Sequence, residues 1–111
     1  MWIVRYLPEA EQELAGLPAR EIGAMINAEK KLRAFGPQLG SPHTSAVRGV
    51  SGTLRELRPR QGKSPWRGLY RQVGVEFLIA GIGPDGETDR RGFNQAAQRA
   101  LERLQKVEEA E

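Results

Sequence analysis

The residues best suited to chemistry lie in a basic, strand-like stretch, Leu54–Tyr70 (LRELRPRQGKSPWRGLY). It holds one acid, Glu56, and five cations: Arg55, Arg58, Arg60, Lys63 and Arg67. Guanidinium groups bind phosphate oxygens through flat, paired hydrogen bonds. Segment 48–71 has seven cations against that one acid, whereas the whole chain has a net charge of +3. This local excess predicts an anionic partner, either RNA, DNA or an acidic protein, rather than a merely solvated arginine-rich surface.

Two predicted strands must position these side chains. Successive side chains of a strand face opposite sides of a sheet, so Glu56 and Arg58 share one face. On the next strand, the far face carries Arg67, Leu69 and Arg71, and the core face carries Trp66 and Tyr70. On neighbouring strands, Arg58, Arg67 and Glu56 would meet over an open sheet surface and form a phosphate clamp. The alternative is a structural ion pair of Glu56 with either arginine, which contributes about 0–1 kcal/mol when exposed.

The hydrophobic pattern predicts the element order β-α-α-β-β-β-α. We expect one helix from Pro8, a second from Ala19 to Phe35, and a third capped by Thr88 or Asp89. Residues 36–52 are predicted as a loop. The strands are expected at Trp2–Tyr6, Thr53–Arg58, Trp66–Val73 and Val75–Ile82, the last of them covered on both faces. The prediction is therefore an α+β fold with an N-terminal strand, a helical hairpin, a three-stranded antiparallel meander and a C-terminal helix. One helical layer and a single domain over residues 1–111 are expected.

Composition excludes several classes of site. The chain has no cysteine and one histidine, which argues against disulfides, thiolate or histidine metal sites, and a Ser-His-Asp triad. No apolar run approaches the roughly 18 residues of a membrane span. The N-terminus lacks a basic start followed by an apolar stretch, so no signal peptide is predicted. We expect a cytoplasmic protein that does not contact a membrane.

Four motifs, together with the predicted element order β-α-α-β-β-β-α, resemble the RelE/ParE toxin superfamily. They are LRELR (Leu54–Arg58), QGKSPWRGLY (Gln61–Tyr70), FLIAGI (Phe77–Ile82) and the run GP-x-LG-x-P (Gly36–Pro42). Within the superfamily, the chain is most similar to the HigB-like, phage-derived branch of type II toxin–antitoxin systems. The resemblance implies the RelE-like microbial ribonuclease fold.

The resemblance also implies an activity and partners. Such toxins are ribosome-dependent endoribonucleases that cut mRNA in the A site, need no metal or cofactor, and are neutralised by an antitoxin. In the HigB-like branch the antitoxin is usually a helix-turn-helix protein. Arg58 and Arg67 match the basic positions of the family, and Glu56 matches its acid. The branch often has a histidine and two lysines after the last strand. Here those positions hold Ala80, Pro84 and Asp85, and the later Arg90 and Arg91 could replace the lysines.

Metal-free RNA cleavage requires a base for the 2′-hydroxyl, charge stabilisation at the phosphate and a proton for the leaving oxygen. Arginine stays protonated near neutral pH, so Arg58 and Arg67 are expected to stabilise charge rather than transfer protons. Glu56 is the predicted base. The expected RNA-binding residues are Arg55, Arg60, Lys63, Arg71, Arg90 and Arg91.

The sequence is also compatible with two other functions. The missing histidine and lysines favour a non-catalytic partner-binding protein of the same fold, either a decayed toxin or a ParE-like inhibitor of DNA gyrase. A generic basic nucleic-acid-binding module is less favoured, because exposed aromatic residues are not interleaved with the cations. His43, the one histidine of the sequence, lies in a predicted loop, and a loop or surface role is preferred to a catalytic one.

Overall fold

A five-stranded sheet organises the computed structural model, which describes residues 2–50 and 53–110. The strands are β1 (Ile3–Tyr6), β2 (Thr44–Ala46), β3 (Arg55–Leu57), β4 (Trp66–Val73) and β5 (Glu76–Pro84). The helices are α1 (Pro8–Ala15), α2 (Ala19–Phe35) and α3 (Arg90–Ala110), with short 3-10 turns at Gly36–Gln38 and Pro59–Gly62. The sheet order is β1-β5-β4-β3-β2, in which β1 is parallel to β5 and the other pairs are antiparallel. The predicted α+β class is confirmed.

The helical hairpin begins and ends as its turn residues dictate. Pro8 starts α1, because a proline at the first helical position loses no intrahelical hydrogen bond. Gly36 ends α2 with a φ of 58°, and a Cβ there would collide with the Trp2 indole. The predicted bounds of α2 are confirmed.

The predicted loop 36–52 contains an additional strand. β2 pairs with β3 through Thr44 opposite Leu57 and Ala46 opposite Arg55. The Thr44 hydroxyl lies 2.7 Å from the Tyr70 hydroxyl on β4, which anchors this edge of the sheet. A strand of three residues is too short to show a hydrophobic period, so the pattern did not reveal it.

β5 is buried on both faces, as predicted, but the expected single helical layer is wrong. Phe77 and Ile79 pack beneath the α1–α2 hairpin, whereas Leu78 and Ala80 pack against α3. The helices therefore form two layers with the sheet between them. Between Leu69 and Tyr70 of β4 the register of β5 shifts by one residue.

Small residues bring α3 close to the sheet. A Cβ at Gly83 would collide with Ala96, and one at Gly81 would lie 3.3 Å from the Cβ of Ala100. Asp89 caps the helix by accepting the Gly92 N–H at 2.8 Å. This approach covers the sheet surface that the sequence predicted to be open.

A charged network joins α1, α3 and β5. The two terminal nitrogens of Arg103, Nη1 and Nη2, donate to Glu13 at 2.9 and 3.0 Å, and Nη1 also donates to the Ala80 carbonyl at 2.9 Å. Glu13 further accepts the Ile82 N–H at 3.1 Å. Burial opposes ionisation of Glu13, but these hydrogen bonds outweigh it and hold its pKa below the ordinary value. The network satisfies backbone groups of β5 beyond the end of β1.

None of the helices in the described part of the chain is long and apolar enough to span a bilayer.

Candidate functional site

The β3–β4 register brings the three predicted catalytic residues together. Leu57 lies opposite Gly68, so Arg58, one residue further, adjoins Arg67 on the neighbouring strand. The Glu56 Oε1 atom accepts a hydrogen bond from Arg58 Nη1 at 2.7 Å and lies 3.6 Å from Arg67 Nε. One carboxylate oxygen thus contacts both guanidiniums. Both ion pairs considered from the sequence are formed.

Arg67 is not an open surface residue, which corrects the expectation of a clamp above an uncovered sheet. The residue is 4% exposed. Its guanidinium donates to the carbonyls of Ser64 at 2.7 Å, Trp66 at 3.0 Å and Gly62 at 3.2 Å. Burial, together with the adjacent Arg58 charge, lowers the pKa of Arg67, although neighbouring acids oppose the shift. Arg67 therefore holds the loop between β3 and β4 and orients Glu56.

Arg58 remains accessible, with 29% of its side chain exposed. Its Nε donates to the Pro42 carbonyl at 3.2 Å, and its backbone N–H donates to the His43 carbonyl at 2.8 Å. A Cβ at Gly62 would lie 2.7 Å from Arg58 Nη2, and Gly62 has a φ of 91°. Glycine at this position therefore lets the loop pass directly beside the guanidinium.

We call the cavity on the α3 face of the sheet the α3-side cleft. It has a volume of about 120 Å³ and is lined by Glu56, Arg58, Arg67, Asp85, Gly86, Glu87, Arg90 and Phe93. Arg90 lies 5.6 Å above the centre of the Phe93 ring. Three cations face three acids in this lining, so the cleft carries no formal charge excess.

Two of the three acids of the cleft, Asp85 and Glu87, come from the β5–α3 turn. The Thr88 hydroxyl donates to the Asp85 carboxylate at 2.6 Å, and the backbone N–H groups of Glu87 and Thr88 donate to it at 2.8 and 3.3 Å. These hydrogen bonds hold the pKa of Asp85 below its ordinary value. The Asp85 backbone N–H in turn donates to the Pro65 carbonyl at 2.9 Å, which fixes the turn beside the cleft.

The predicted RNA-binding cations do not all reach this cleft. Arg90 lines it, whereas Arg91 is exposed and does not. Arg71 pairs with Glu108 on α3 at 2.7 Å and donates to the Thr53 carbonyl at 2.7 Å. Lys63 is exposed on the loop between β3 and β4, and Arg55 is half-buried on β3. Arg60 faces the opposite side of the sheet.

A second cavity, which we call the α2-side pocket, lies on that opposite side. It has a volume of about 130 Å³ and is lined by Ala24, Asn27, Ala28, Lys31, His43, Arg58 and Arg60. Arg58 lines both cavities. The sequence did not predict Asn27 or Lys31 as site residues, because they lie on a helix whose pattern indicated only packing.

Glu21 anchors the loop that carries Arg60. This carboxylate is almost buried and accepts two hydrogen bonds from Arg60 Nη2, at 3.0 and 2.7 Å, and one from the Ser64 hydroxyl at 2.8 Å. The sequence analysis did not identify Glu21 as a site residue, although its spacing from the apolar residues of α2 indicated one. Glu21 falls in the same helical stripe as Met25, Ala28 and Leu32, and an acid among core positions indicates a buried charged partner.

No cluster suited to a metal ion lies within residues 2–50 and 53–110, where no three His, Cys, Asp or Glu side chains converge.

Comparison with known proteins identifies similarity to one family and one fold. Residues 12–73 match the family model described as "Phage derived protein Gp49-like". This segment includes Glu56, Arg58 and Arg67 but ends before α3. A search of curated proteins found no significant match.

Among solved structures, the chain is similar to the archaeal RelE–RelB complex from Pyrococcus horikoshii OT3. The TM-score is 0.57 at 17% identity, over 77% of this chain and 96% of the other. This likeness shows that the chain has the RelE fold, in agreement with the resemblance of its motifs.

Proposed function

Because the chain belongs to the phage-derived Gp49-like family, a RelE/HigB-type toxin family, we propose that it is the toxin of a type II toxin–antitoxin pair. In this proposal it inhibits translation by cutting mRNA on the ribosome as a metal-independent endoribonuclease. The observation that carries the proposal is that Arg58 and Arg67 both contact one carboxylate oxygen of Glu56, with Arg90 in the same cleft.

The proposed reaction is an attack of the ribose 2′-oxygen on the adjacent phosphorus. The new bond forms as the bond from phosphorus to the 5′-oxygen breaks, giving a 2′,3′-cyclic phosphate and a 5′-hydroxyl. The 2′-hydroxyl proton passes to the base, and the leaving oxygen takes a proton from solvent. Charge grows on the phosphoryl oxygens, where a fixed cation lowers the barrier.

Arg58 is the proposed catalytic cation, because its guanidinium is both reachable and fixed by Pro42 and Glu56. Glu56 is the proposed base. Its Oε1 atom is occupied by Arg58, and within the described residues no hydrogen bond reaches Oε2, which is left to accept the proton. Arg67 becomes a positioning residue in this scheme, since its donors are used by backbone carbonyls.

The ribosome is proposed to position the message, because a charge-balanced cleft attracts free RNA only weakly. Holding the 2′-oxygen in line with the scissile bond can supply a large part of the rate, up to about 7–11 kcal/mol of the barrier. Action on translating ribosomes implies a cytoplasmic protein. The proposed regulator is a cognate antitoxin, of the helix-turn-helix type expected for the HigB-like branch.

The test is expression without an antitoxin in a bacterial host, followed by mapping of RNA 5′ ends. We expect growth arrest and cuts phased with codons in translated messages. Arg58→Gln should reduce cutting by about 10²–10³-fold, the usual effect of losing one charge-stabilising donor. Arg20→Gln is the matched control, because Arg20 is exposed on α2 and lines neither cavity. Equal cutting by the two variants would remove Arg58 from the mechanism.

A second candidate function is a non-catalytic partner-binding protein, including a ParE-like inhibitor of DNA gyrase. Two observations favour it: Arg67 is buried, and three acids offset the cations of the α3-side cleft. The same experiment separates the candidates. Growth arrest with DNA breaks and intact messages would indicate gyrase, and no phenotype would indicate a protein that only binds its partner.

A further inference from the structure

The α2-side pocket concentrates hydrogen-bond donors outside the cleft proposed for catalysis. Its polar lining consists of Asn27 and Lys31 from α2, His43 from the loop before β2, and Arg58 and Arg60 from the segment that follows β3. Two alanines of α2 complete the lining. Within residues 2–50 and 53–110, no acid lines this pocket, whereas three line the α3-side cleft.

The cations of the pocket are only partly neutralised. Arg58 contacts Glu56 and Arg60 contacts Glu21, both of which lie outside the lining. Among the residues described, the Lys31 ammonium and the His43 ring form no ion pair or side-chain hydrogen bond, so the local balance is positive. The Nε of Arg60 is also buried without an acceptor. A pocket lined by cations and lacking acids in its lining attracts an anion.

The pocket is also built in advance. Arg60 and Gln61 have φ values of 54° and 58°, a left-handed conformation that costs energy for residues other than glycine. The hydrogen bonds from Arg60 and Ser64 to Glu21 hold this strained turn and direct Arg60 against α2. Hydrogen bonds from Arg58 to the Pro42 and His43 carbonyls fix the opposite wall. A rigid site binds with a smaller entropic cost than a mobile one.

The size and the donors of the pocket suit a phosphate group. Its volume of about 130 Å³ exceeds several-fold the space that one ordered water molecule needs. A compact anion such as one phosphate group fits such a space. Arginine and lysine donors suit phosphate oxygens in particular.

We infer that the α2-side pocket binds a phosphate group of an RNA strand, next to the linkage held in the α3-side cleft. Arg58 lines both cavities and would contact both phosphates. The choice of RNA as the source rests on the proposed function, whereas the choice of phosphate rests on the pocket itself. His43 is then a phosphate-binding residue rather than an idle loop residue.

The test is an NMR titration of the isotopically labelled full chain with short single-stranded RNA carrying 2′-O-methyl groups. The probe lacks the 2′-hydroxyl nucleophile, so binding is measured without cleavage and independently of toxicity. We expect shifts of the Asn27, Lys31 and His43 amides. Lys31→Gln and His43→Gln should each weaken binding by roughly 10-fold, as expected for one lost charge-assisted contact. The log–log salt slope of Lys31→Gln should be shallower by about 0.7.

Lys30→Gln is the matched control, since Lys30 is exposed, adjacent in sequence and outside the pocket. It should bind the probe as the unmodified chain does, and thermal unfolding should show all three variants folded. Equal affinity of Lys31→Gln and Lys30→Gln would overturn the inference. Messenger RNA cutting could still occur in that case, so the proposed function would stand.

Inorganic phosphate separates the two sources of the ligand. If it displaces the RNA probe from the pocket residues only at high concentration, the RNA assignment is supported. If phosphate shifts the pocket residues and RNA leaves them unchanged, the site binds the free ion and the inference is wrong. Absence of binding by either probe would also overturn it.

Discussion

The α3-side cleft and the α2-side pocket share Arg58 but hold their other cations differently. In the cleft, Arg67 is buried and its donors are satisfied by three backbone carbonyls. In the pocket, Lys31 is half-exposed and no partner for its ammonium lies in the described part of the chain. A buried cation needs all its donors paired, whereas the donors of a partly solvated cation can be hydrated until a ligand binds. The difference indicates that the cations of the cleft hold the proposed catalytic side chains in position, whereas the cations of the pocket attract an anionic ligand.

The largest expected effect separates a structural cation from a binding one. Arg67→Ala removes the donor of three carbonyls and leaves Glu56 with a single partner. We expect it to lower the free energy of unfolding by about 3–5 kcal/mol, the usual effect of breaking a buried charged pair. Urea unfolding monitored by tryptophan fluorescence measures the loss.

Lys31→Ala is the control from the other site, and its unfolding free energy should stay within about 0.5 kcal/mol of the unmodified chain. Similar losses for the two variants would mean that the cations of the cleft and the pocket have the same role. The contrast between the sites would then have no energetic basis.

The sequence predicted the position of Arg67 but not its burial. Strand alternation placed Arg67 and Glu56 on the same face, and the structure confirms that they meet. The coverage of that face depends on how closely α3 approaches, which Gly83 and Ala96 determine together across a long sequence separation. A local pattern contains no information on such a contact.

Helix and strand bounds were predicted best where signals were strong at both ends. Pro18 and Gly36 bound α2, and its predicted range of 19–35 is confirmed. β2 was missed, because it has only three residues and follows a segment rich in Gly, Ser and Pro. Such a segment shows no hydrophobic period. The cleft residues on β3 and β4 were predicted from their charge and from strand alternation. The pocket could not be predicted in this way, because it forms only where α2 packs against the loop before β2. His43 was noticed but could not be placed for this reason.

The second prediction concerns the strained loop that separates the sites. Glu21→Gln removes the negative charge that holds Arg60 and Ser64. We expect a loss of about 2 kcal/mol in unfolding free energy, in the range of hydrogen bonds to charged groups. Amide hydrogen exchange should also accelerate at Lys63 and Ser64, whose N–H groups donate within this loop.

Glu11→Gln is the matched control, because Glu11 is exposed on α1. If Glu21→Gln left exchange in the loop unchanged, the loop would be held by Arg67 alone. The pocket would then not depend on the carboxylate of α2.

The third prediction uses pH to address the cleft alone. The pKa of Asp85 is lower in the folded chain than in the unfolded one, so its contribution to stability is present above the unfolded pKa of about 3.9. The contribution is lost as the pH falls through the folded pKa. Asp85→Asn should therefore cost about 1 kcal/mol or less at neutral pH, because solvent screens this partly exposed group. The difference from the unmodified chain should vanish in acid.

Urea unfolding of the two proteins over a series of pH values measures this difference. Glu13 also titrates in acid, but it is present in both proteins and its effect cancels. A constant difference at all pH values would mean that the Asp85 carboxylate does not stabilise the turn through its charge.

The smallest expected effect tests whether the acids of the α3-side cleft weaken its binding of RNA. Glu87 is exposed on the β5–α3 turn and lines the cleft, and no described residue pairs with its carboxylate. Glu87→Gln should tighten binding of the 2′-O-methyl RNA by about two- to five-fold, as expected for one surface charge. The larger shifts should fall at Arg58 and Arg90, with Lys31 unchanged, because the added attraction is local under salt screening. Glu11→Gln makes the same charge change on α1, and equal tightening there would attribute the effect to net charge. Tightening confined to Glu87→Gln would instead mean that the acidic turn itself weakens RNA binding in the cleft, in agreement with the proposal that another component positions the message.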